Sequence, residues 1–445
     1  MKDTSRLLAK VIQEQGIPRS VLIRSSGIDR SSFYQILNGK RPGTIDQFVR
    51  IISQLRLTSE LTRQLISEYA ARKFGADYPL YEMTDRRMRK LAAAGRNSGR
   101  SVNVGTREIA GLLRQILHSA QGDSGSTLYI YIPLTLLDFI SGGVEDIPEL
   151  LDSIRDPGRI RILVSVNLQE AAKTEAQLDL LSGFLFGLYH IRNFSEIVRC
   201  IYSDSRGEDT PFPYFAVSGE SLYLMNHTCD RAVIIKQKDV AEEYARFFTN
   251  LAGQHYEYLE EHASLESFMK AVCRRFAENA GEDRLNRMAE RRLCIFKVID
   301  QKLIERYTDP AVHEFLQSYL VRLRQMQSVS LNSASALQEF RTDHSLLENG
   351  IRITIDPGDA EQICRYAELP ETQDIQLLRG DQDHLPHNWT FVLFSTGELM
   401  ILPNWDCHQI ISIRDQQIYH AFSAWFEVSR EIALIMEKLT EQTHT

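Results

Sequence analysis

Residues 19–38 read RSVLIRSSGIDRSSFYQILN, and the spacing of their apolar positions predicts two short helices joined by a tight turn. Gly27 supplies that turn, where a positive φ is needed and a side chain is expected to collide with the neighbouring helix. Leu22, Ile28, Phe33 and Ile36 are the apolar pins that fix the angle between the helices. Asp29 is placed to cap the second helix by accepting backbone N–H groups of its first turn, and Gly39 follows as its stop. Arg30, Ser31, Tyr34, Gln35 and Asn38 are left on the outward face, all able to hydrogen-bond and none suited to a core. A rigid helix with such a face fits the major groove of DNA.

On the N-terminal side, SRLLAKVIQEQG reads as a first helix; on the C-terminal side, Asn38, Gly39, Lys40, Arg41 and Pro42 form a connection. Thr44 and Gln47 then make a capping box for a helix with Phe48, Ile51, Ile52 and Leu55 at helical spacing. A further helix is predicted over 59–74 with Leu61, Leu65, Ile66 and Tyr69 on one side, closing the domain or pairing with its mate in a dimer. Over roughly the first seventy residues this arrangement resembles the helix-turn-helix domain of the lambda repressor and Cro (XRE) family of bacterial regulators, including the N-G-K-R-P connection. Ile23 stands where the family usually has alanine and Ser26 where it usually has an apolar residue, which implies altered packing between the two helices. The resemblance implies that Arg30, Ser31, Tyr34, Gln35 and Asn38 meet base edges, and that Ser20, Ser32, Lys40 and Arg41 meet phosphates. It also implies a dimer on half-sites about one helical turn, roughly 34 Å, apart.

The charge of the whole chain hides a division. The net charge is -8 over 445 residues, yet residues 1–107 carry 20 Lys and Arg against 9 Asp and Glu, and the remainder 31 against 50. The basic end coincides with the two short helices. Positive charge is what holds phosphates, and an acidic remainder is a poor ligand for nucleic acid. The expectation is a DNA module carrying a larger body of another kind. No apolar run approaches the roughly 20 residues that span a bilayer, and the start MKDTSRLL has no signal-peptide core, so a cytoplasmic location is expected. The six cysteines include no C-x-x-C pair, which speaks against a disulfide framework or a cysteine zinc site.

The body contains a repeat. A shift of 178 positions places Gly219 and Glu220 on Gly397 and Glu398, Leu224 on Leu402, Asn226 on Asn404, Cys229 on Cys407, Ile235 on Ile413 and Phe248 on Phe426. Those are seven identities in 30 positions without a gap, where ordinary composition gives roughly two. Each copy reads as strand, turn, strand, connection, apolar strand and amphipathic helix. Upstream of the first copy, TLYIYIPL and GRIRILVSV read as strands, with helices at 136–140, 147–154 and about 176–190; upstream of the second, RLCIFKVI and GIRITI read as strands around a helix over about 310–327. The fold class expected is therefore multidomain: an all-α helix-turn-helix domain over 1–76, a basic hinge over 77–124, and two tandem, internally duplicated α/β domains over 125–253 and 291–445, with a helical connector over 254–290. In the hinge, Arg86, Arg87, Arg89 and Lys90 read as solvated charges or as added phosphate contacts.

No phosphate loop, dinucleotide fingerprint or nucleophile elbow is present in the sequence. The end of each repeat resembles the end of a phospholipase-D-like half, but the H-x-K signature of that family is missing from both copies, which implies kinship with non-catalytic, ligand-binding relatives. His384 and His387, with Asp381 and Asp383 nearby, have a spacing that can share a metal, but Pro386 between them favours a surface turn. Cys229 and Cys407 read as equivalent small core residues rather than redox sensors. The expectation is a DNA-binding transcription regulator, not an enzyme, without cofactor or metal. Its partners are double-stranded DNA, a second copy of itself and a small-molecule or protein effector at the body. A DNA-targeted enzyme, or a scaffold using the two helices for protein contacts, are the alternatives.

Overall fold

The structure is a computed structural model that describes residues 6–94, 106–122, 127–133, 136, 160–166, 174–190, 198–202, 211–254, 259–262, 264–281, 284–292, 301–307, 310, 313–348, 351–369, 374–404 and 409–444. It begins with a helical region and continues as mixed α/β sheets. The helices are α1 (Arg6–Glu14), α2 (Arg19–Ser26), α3 (Arg30–Leu37), α4 (Ile45–Ile52), α5 (Ser59–Phe74), α6 (Asp77–Ala94) and α7 (Thr106–Gly122). Their starts follow from the residues before them. Gln47 donates its backbone N–H to Thr44 Oγ1 at 3.2 Å while its side-chain oxygen accepts from the Thr44 N–H at 3.1 Å, a complete capping box. Thr58 caps α5 in the same way, accepting from the Leu61 N–H at 3.2 Å. The apolar stripe of α4, with Phe48, Val49, Ile51 and Ile52 all buried, packs into a shared core where the Phe48 and Tyr69 rings stack at 4.4 Å.

The first sheet is built from β1 (Leu128–Pro133), β2 (Ile160–Val166), β3 (Val198–Tyr202), β4 (Tyr214–Ser218), β5 (Ser221–Met225) and β6 (Ala232–Lys236), with α8 (Thr174–His190) after β2 and α9 (Lys238–Gln254) after β6. Its order is β3-β2-β1-β4-β5-β6; β1, β2 and β3 run parallel, and β4, β5 and β6 continue antiparallel. After it come β7 (Leu259–Glu261), α10 (Leu265–Glu278), β8 (Asn286–Glu290), α11 (Gln301–Tyr307), α12 (His313–Gln325), β9 (Ser328–Ser333), α13 (Ala334–Asp343), β10 (Ser345–Glu348), β11 (Ile351–Thr354) and α14 (Pro357–Glu368). The described elements end with β12 (Ile375–Leu378), β13 (Trp389–Leu393), β14 (Leu399–Pro403), β15 (Gln409–Ile413) and α15 (Gln416–His444). The second sheet has the order β12-β9-β8-β13-β14-β15-β7, again three parallel strands followed by antiparallel ones, while β10 and β11 form a separate hairpin.

Three expectations are corrected here. Residues 77–94 and 106–122 are helices α6 and α7 rather than a hinge, and Arg87 of α6 is buried, its guanidinium bonded to Asp179 of α8 at 2.9 Å and to Glu175 at 3.2 Å. The connector over 254–290 is helical only at Leu265–Glu278; it also supplies β7 and β8, and β8 sits inside the second sheet. The short segment NRMAE of β8 is tolerated there because the Asn286 amide is fully satisfied. It donates to the Asn279 and Gln327 carbonyls at 3.1 and 3.2 Å and accepts the Ser395 N–H at 2.9 Å. GIRITI contributes to the separate hairpin instead of the sheet, and the sheet uses β9, SVSLNS, which is too polar to read as a strand, and β12, IQLL, which is only four residues long. RLCIFKVI and the two short helices at 136–140 and 147–154 lie almost wholly outside the described residues.

The two sheets are joined to the helical region by α15. This helix has 29 residues, against 17 for α9. Along its length it packs on α4, α5, α6 and α8. Tyr69 of α5 donates its hydroxyl to Glu431 at 3.1 Å, Lys73 pairs with Glu431 at 2.5 Å, and Lys438 pairs with Asp46 at 2.8 Å. Burial, and then the Glu431 charge, push the Tyr69 hydroxyl well above its ordinary range. A continuous buried apolar cluster runs from Leu8, Phe33 and Phe48 through Met88 to Ile130, Phe391, Trp425 and Ile435. The helical region is thus part of the body's core. No described helix is long and apolar enough to cross a membrane.

Candidate nucleic-acid interface

The interface is built on α2 and α3. Gly27 ends α2 at φ 64°, a left-handed conformation that other residues rarely adopt. The expected collision of a side chain with the next helix does not occur: a Cβ at Gly27 would meet only Arg50 Nη1, at 4.0 Å. Backbone conformation alone demands the glycine. The tight approach lies instead at Gly43, φ 82°, where a Cβ would fall 2.7 Å from Ile36 Cδ1. Asp29 opens α3 by accepting the Ser32 N–H at 2.8 Å. The Ser32 hydroxyl and its amide together hold the Asp29 carboxyl below its usual range. Leu22, Ile28, Phe33, Ile36 and Leu37 are all buried, which locks both helices onto α1 and α4. Ser26 is buried as well; its hydroxyl donates to the Ile23 carbonyl at 3.5 Å, so a polar residue fits the inner face by bonding its own helix.

With the pins turned inward, Arg30, Ser31, Gln35 and Asn38 are exposed along one side of α3, and Tyr34 is half-buried among them. The guanidinium carbons of Arg19 and Arg30 each lie 5.9 Å from the Tyr34 ring centroid. Ser20 is exposed in the first turn of α2, and Lys40 and Arg41 are exposed just past α3. The backbone turns there because the Lys40 N–H and the Gly39 N–H bond back to the carbonyls of Gln35 and Ile36, at 2.8 and 3.0 Å. Arg41 donates to the Ser32 hydroxyl, so those two residues form one unit at the edge of the face.

The electrostatics of this surface are one-sided. Arg19, Arg24, Arg30, Lys40, Arg41 and Arg50 form no ion pair with any described residue. Asp46, the acid on α4, is taken by Lys438. Arg19, Arg24 and Arg50 were not among the residues expected from the sequence. A basic residue at an exposed position of α4 gives no signal of its own; only the tertiary fold brings Arg50 to the Gly27 turn.

The other candidates behave differently. His384 is not a free surface histidine: its Nε2 lies 2.5 Å from Asp85 Oδ1 of α6, and the Trp425 indole N–H donates to the same oxygen at 3.4 Å. Burial pushes the Asp85 carboxyl up, but the hydrogen bond and charge of His384, together with Arg89, more than offset this and hold it below its ordinary value. Among the described residues no three His, Cys, Asp or Glu side chains gather to hold a metal. Cys229 is buried in the β5–β6 turn at φ 54°, and burial, then the charge of Asp230, push its thiol up to about 12, which disfavours a reactive thiolate. Cys407 lies outside the described residues. No protein family, curated protein or solved structure matches this chain.

Proposed function

We propose that the chain is a cytoplasmic, sequence-specific transcription regulator that binds double-stranded DNA through a helix-turn-helix of the lambda repressor and Cro type, formed by α2 and α3. The observation that carries this reading is the group of six exposed Lys and Arg side chains around a capped, outward-facing helix, none paired to a described carboxylate. Such charges remain available to displace counterions from phosphates. Arg30, Ser31, Tyr34, Gln35 and Asn38 take base edges; Ser20, Lys40 and the Ser32–Arg41 unit take phosphates, joined by Arg19, Arg24 and Arg50. A domain this small buries too little surface for selective binding by itself, so the working form is a homodimer.

The body serves as a non-catalytic sensor built from two copies of one α/β unit. Support for duplication comes from the matching strand orders and senses of the two sheets. It also comes from the 178-residue shift, which carries Ser221–Met225 onto Leu399–Pro403 and the start of α9 onto that of α15. The test is selection of genomic fragments by the purified chain, beside Arg30→Ala/Gln35→Ala, over a salt series. Selective binding with a steep salt slope, lost in the double variant, is the expected result; equal retention of fragments by both proteins would overturn the reading.

A further inference from the structure

A groove of about 1170 Å³ lies between the helical region and the second sheet. Helices α5 and α6 line it from one side, the turn 379–382 after β12 from another, and α15 supplies Ile432 and Met436. Four guanidinium groups reach it. Two are engaged: Arg63 is bonded to Asp381, and Arg89 to Asp85 at 2.7 Å. The other two, Arg86 of α6 and Arg379 beside the turn, are exposed, and their side chains have no hydrogen bond or ion pair with any described residue.

Three carboxylates also line the groove, Glu82, Asp85 and Asp381, but two of these are the partners just named. Asp85 carries a further neighbour in His384. The third, Glu82, is exposed, so the lining keeps an excess of one guanidinium over its carboxylates, and its two unpaired arginines are carried one by the helical side and one by the sheet side. Between them the lining includes the apolar side chains of Leu57, Ile66, Ile432 and Met436 and the ring of Tyr78. Unpaired guanidinium groups beside apolar surface match a ligand with an anionic end and an apolar or aromatic body. The volume exceeds what an inorganic ion needs.

We infer that this groove binds a small organic anion, a phosphate, sulfonate or carboxylate group on an apolar or aromatic body, with Arg86 and Arg379 gripping the anionic end from the helical and sheet sides. A ligand held in this way bridges helices α5 and α6 of the helical region and the turn beside the second sheet. The binding site stands on the groove alone; its role as an effector site rests on the regulator reading.

The probe is 8-anilinonaphthalene-1-sulfonate, titrated into the full chain and followed by fluorescence, with its uncharged analogue N-phenyl-1-naphthylamine alongside. The wild type is expected to bind the sulfonate saturably, with one site per chain. Arg86→Ala/Arg379→Ala is expected to bind it at least about tenfold more weakly, with part of the loss recovered in Arg86→Lys/Arg379→Lys. The uncharged analogue should not distinguish these proteins, and unchanged melting curves show that the variants are folded. Equal sulfonate affinity in wild type and the alanine pair overturns the site, as does equal preference of the wild type for charged and uncharged dye. Dye binding that needs both arginines without any change in affinity for a selected DNA fragment overturns the effector role and leaves the site. Absence of any selected fragment, with the same dye result, removes the regulator reading and leaves the site.

Discussion

Around α2 and α3, six exposed cationic side chains form no ion pair with a described carboxylate, whereas along α5 and α6 Arg63, Lys73, Arg87 and Arg89 each end on one. Both stretches contribute to the basic count of the N-terminal quarter, but these four paired cations of the second are not free to offer their charge to phosphate. A guanidinium already bonded to a carboxylate is partly neutralised and held in place, so engaging it elsewhere means breaking a bond and leaving an acid behind. Compensation, rather than the number of arginines, is what sets the candidate face apart. The second stretch has the opposite task of fastening helices to the body, through Asp381, Glu431 and Asp179 from three different parts of the fold, while Arg89 pairs with Asp85 one turn away within α6.

The largest separation between the two stretches is expected in Arg30→Ala/Gln35→Ala. Selective DNA affinity should fall by about a hundredfold or more, from roughly 1–3 kcal/mol per base contact, while the melting temperature stays put. Equilibrium binding and thermal unfolding on the same preparation check both halves of that statement. Arg87→Ala reverses the pattern. It strands Asp179 and Glu175 and removes a buried side chain, so stability to urea should drop by about 2 kcal/mol with DNA affinity of the folded protein unchanged; loss of affinity without loss of stability would erase the distinction.

Asp85→Asn sharpens it through pH. The carboxyl titrates below its ordinary 3.8 in the fold, so the stability it contributes is present above that value and is lost as pH falls through the lower folded value. The groups facing it are Arg89 on α6, His384 beyond the 379–382 turn, and Trp425 and Tyr81. A wild-type advantage of about 1.5 kcal/mol near neutral pH should shrink toward zero in urea midpoints measured down to pH 2. A constant gap would remove the ion pair from the account. Smallest is Lys40→Ala: about 1 kcal/mol weaker binding on every DNA sequence alike, with the logarithmic salt slope reduced by about one, read from a salt titration.

The regions whose structure rests on local rules were legible in the sequence. The capping box at Thr44, the span of α5, the Asp29 cap and the pins of α2 and α3 all depend on neighbours a few positions away, and they match. What was not legible depends on distant partners. A cluster of arginines followed by alanines, as in α6, looks like a solvated hinge until α8 and α15 are set beside it. β8 does not read as a strand because Asn286 finds its partners in distant loops, and Gly27 looks sterically confined until Arg50 is seen 4.0 Å away. On the candidate face the outward residues of α3 could be named from periodicity, but Arg50 could not, because its place depends on the angle between α4 and the turn.

The contact between Tyr69 and Glu431 joins positions 362 apart. A ribosome adding roughly 5–20 residues per second needs about 20 to 70 s to cover that distance. During that interval the helices near the N-terminus have emerged, yet the surface of α15 that completes their core has not been made. The apolar sides of α4, α5 and α6 must wait unsealed, a natural stage for chaperone capture, and the end of the molecule that carries α2 and α3 reaches its final setting only when α15 arrives.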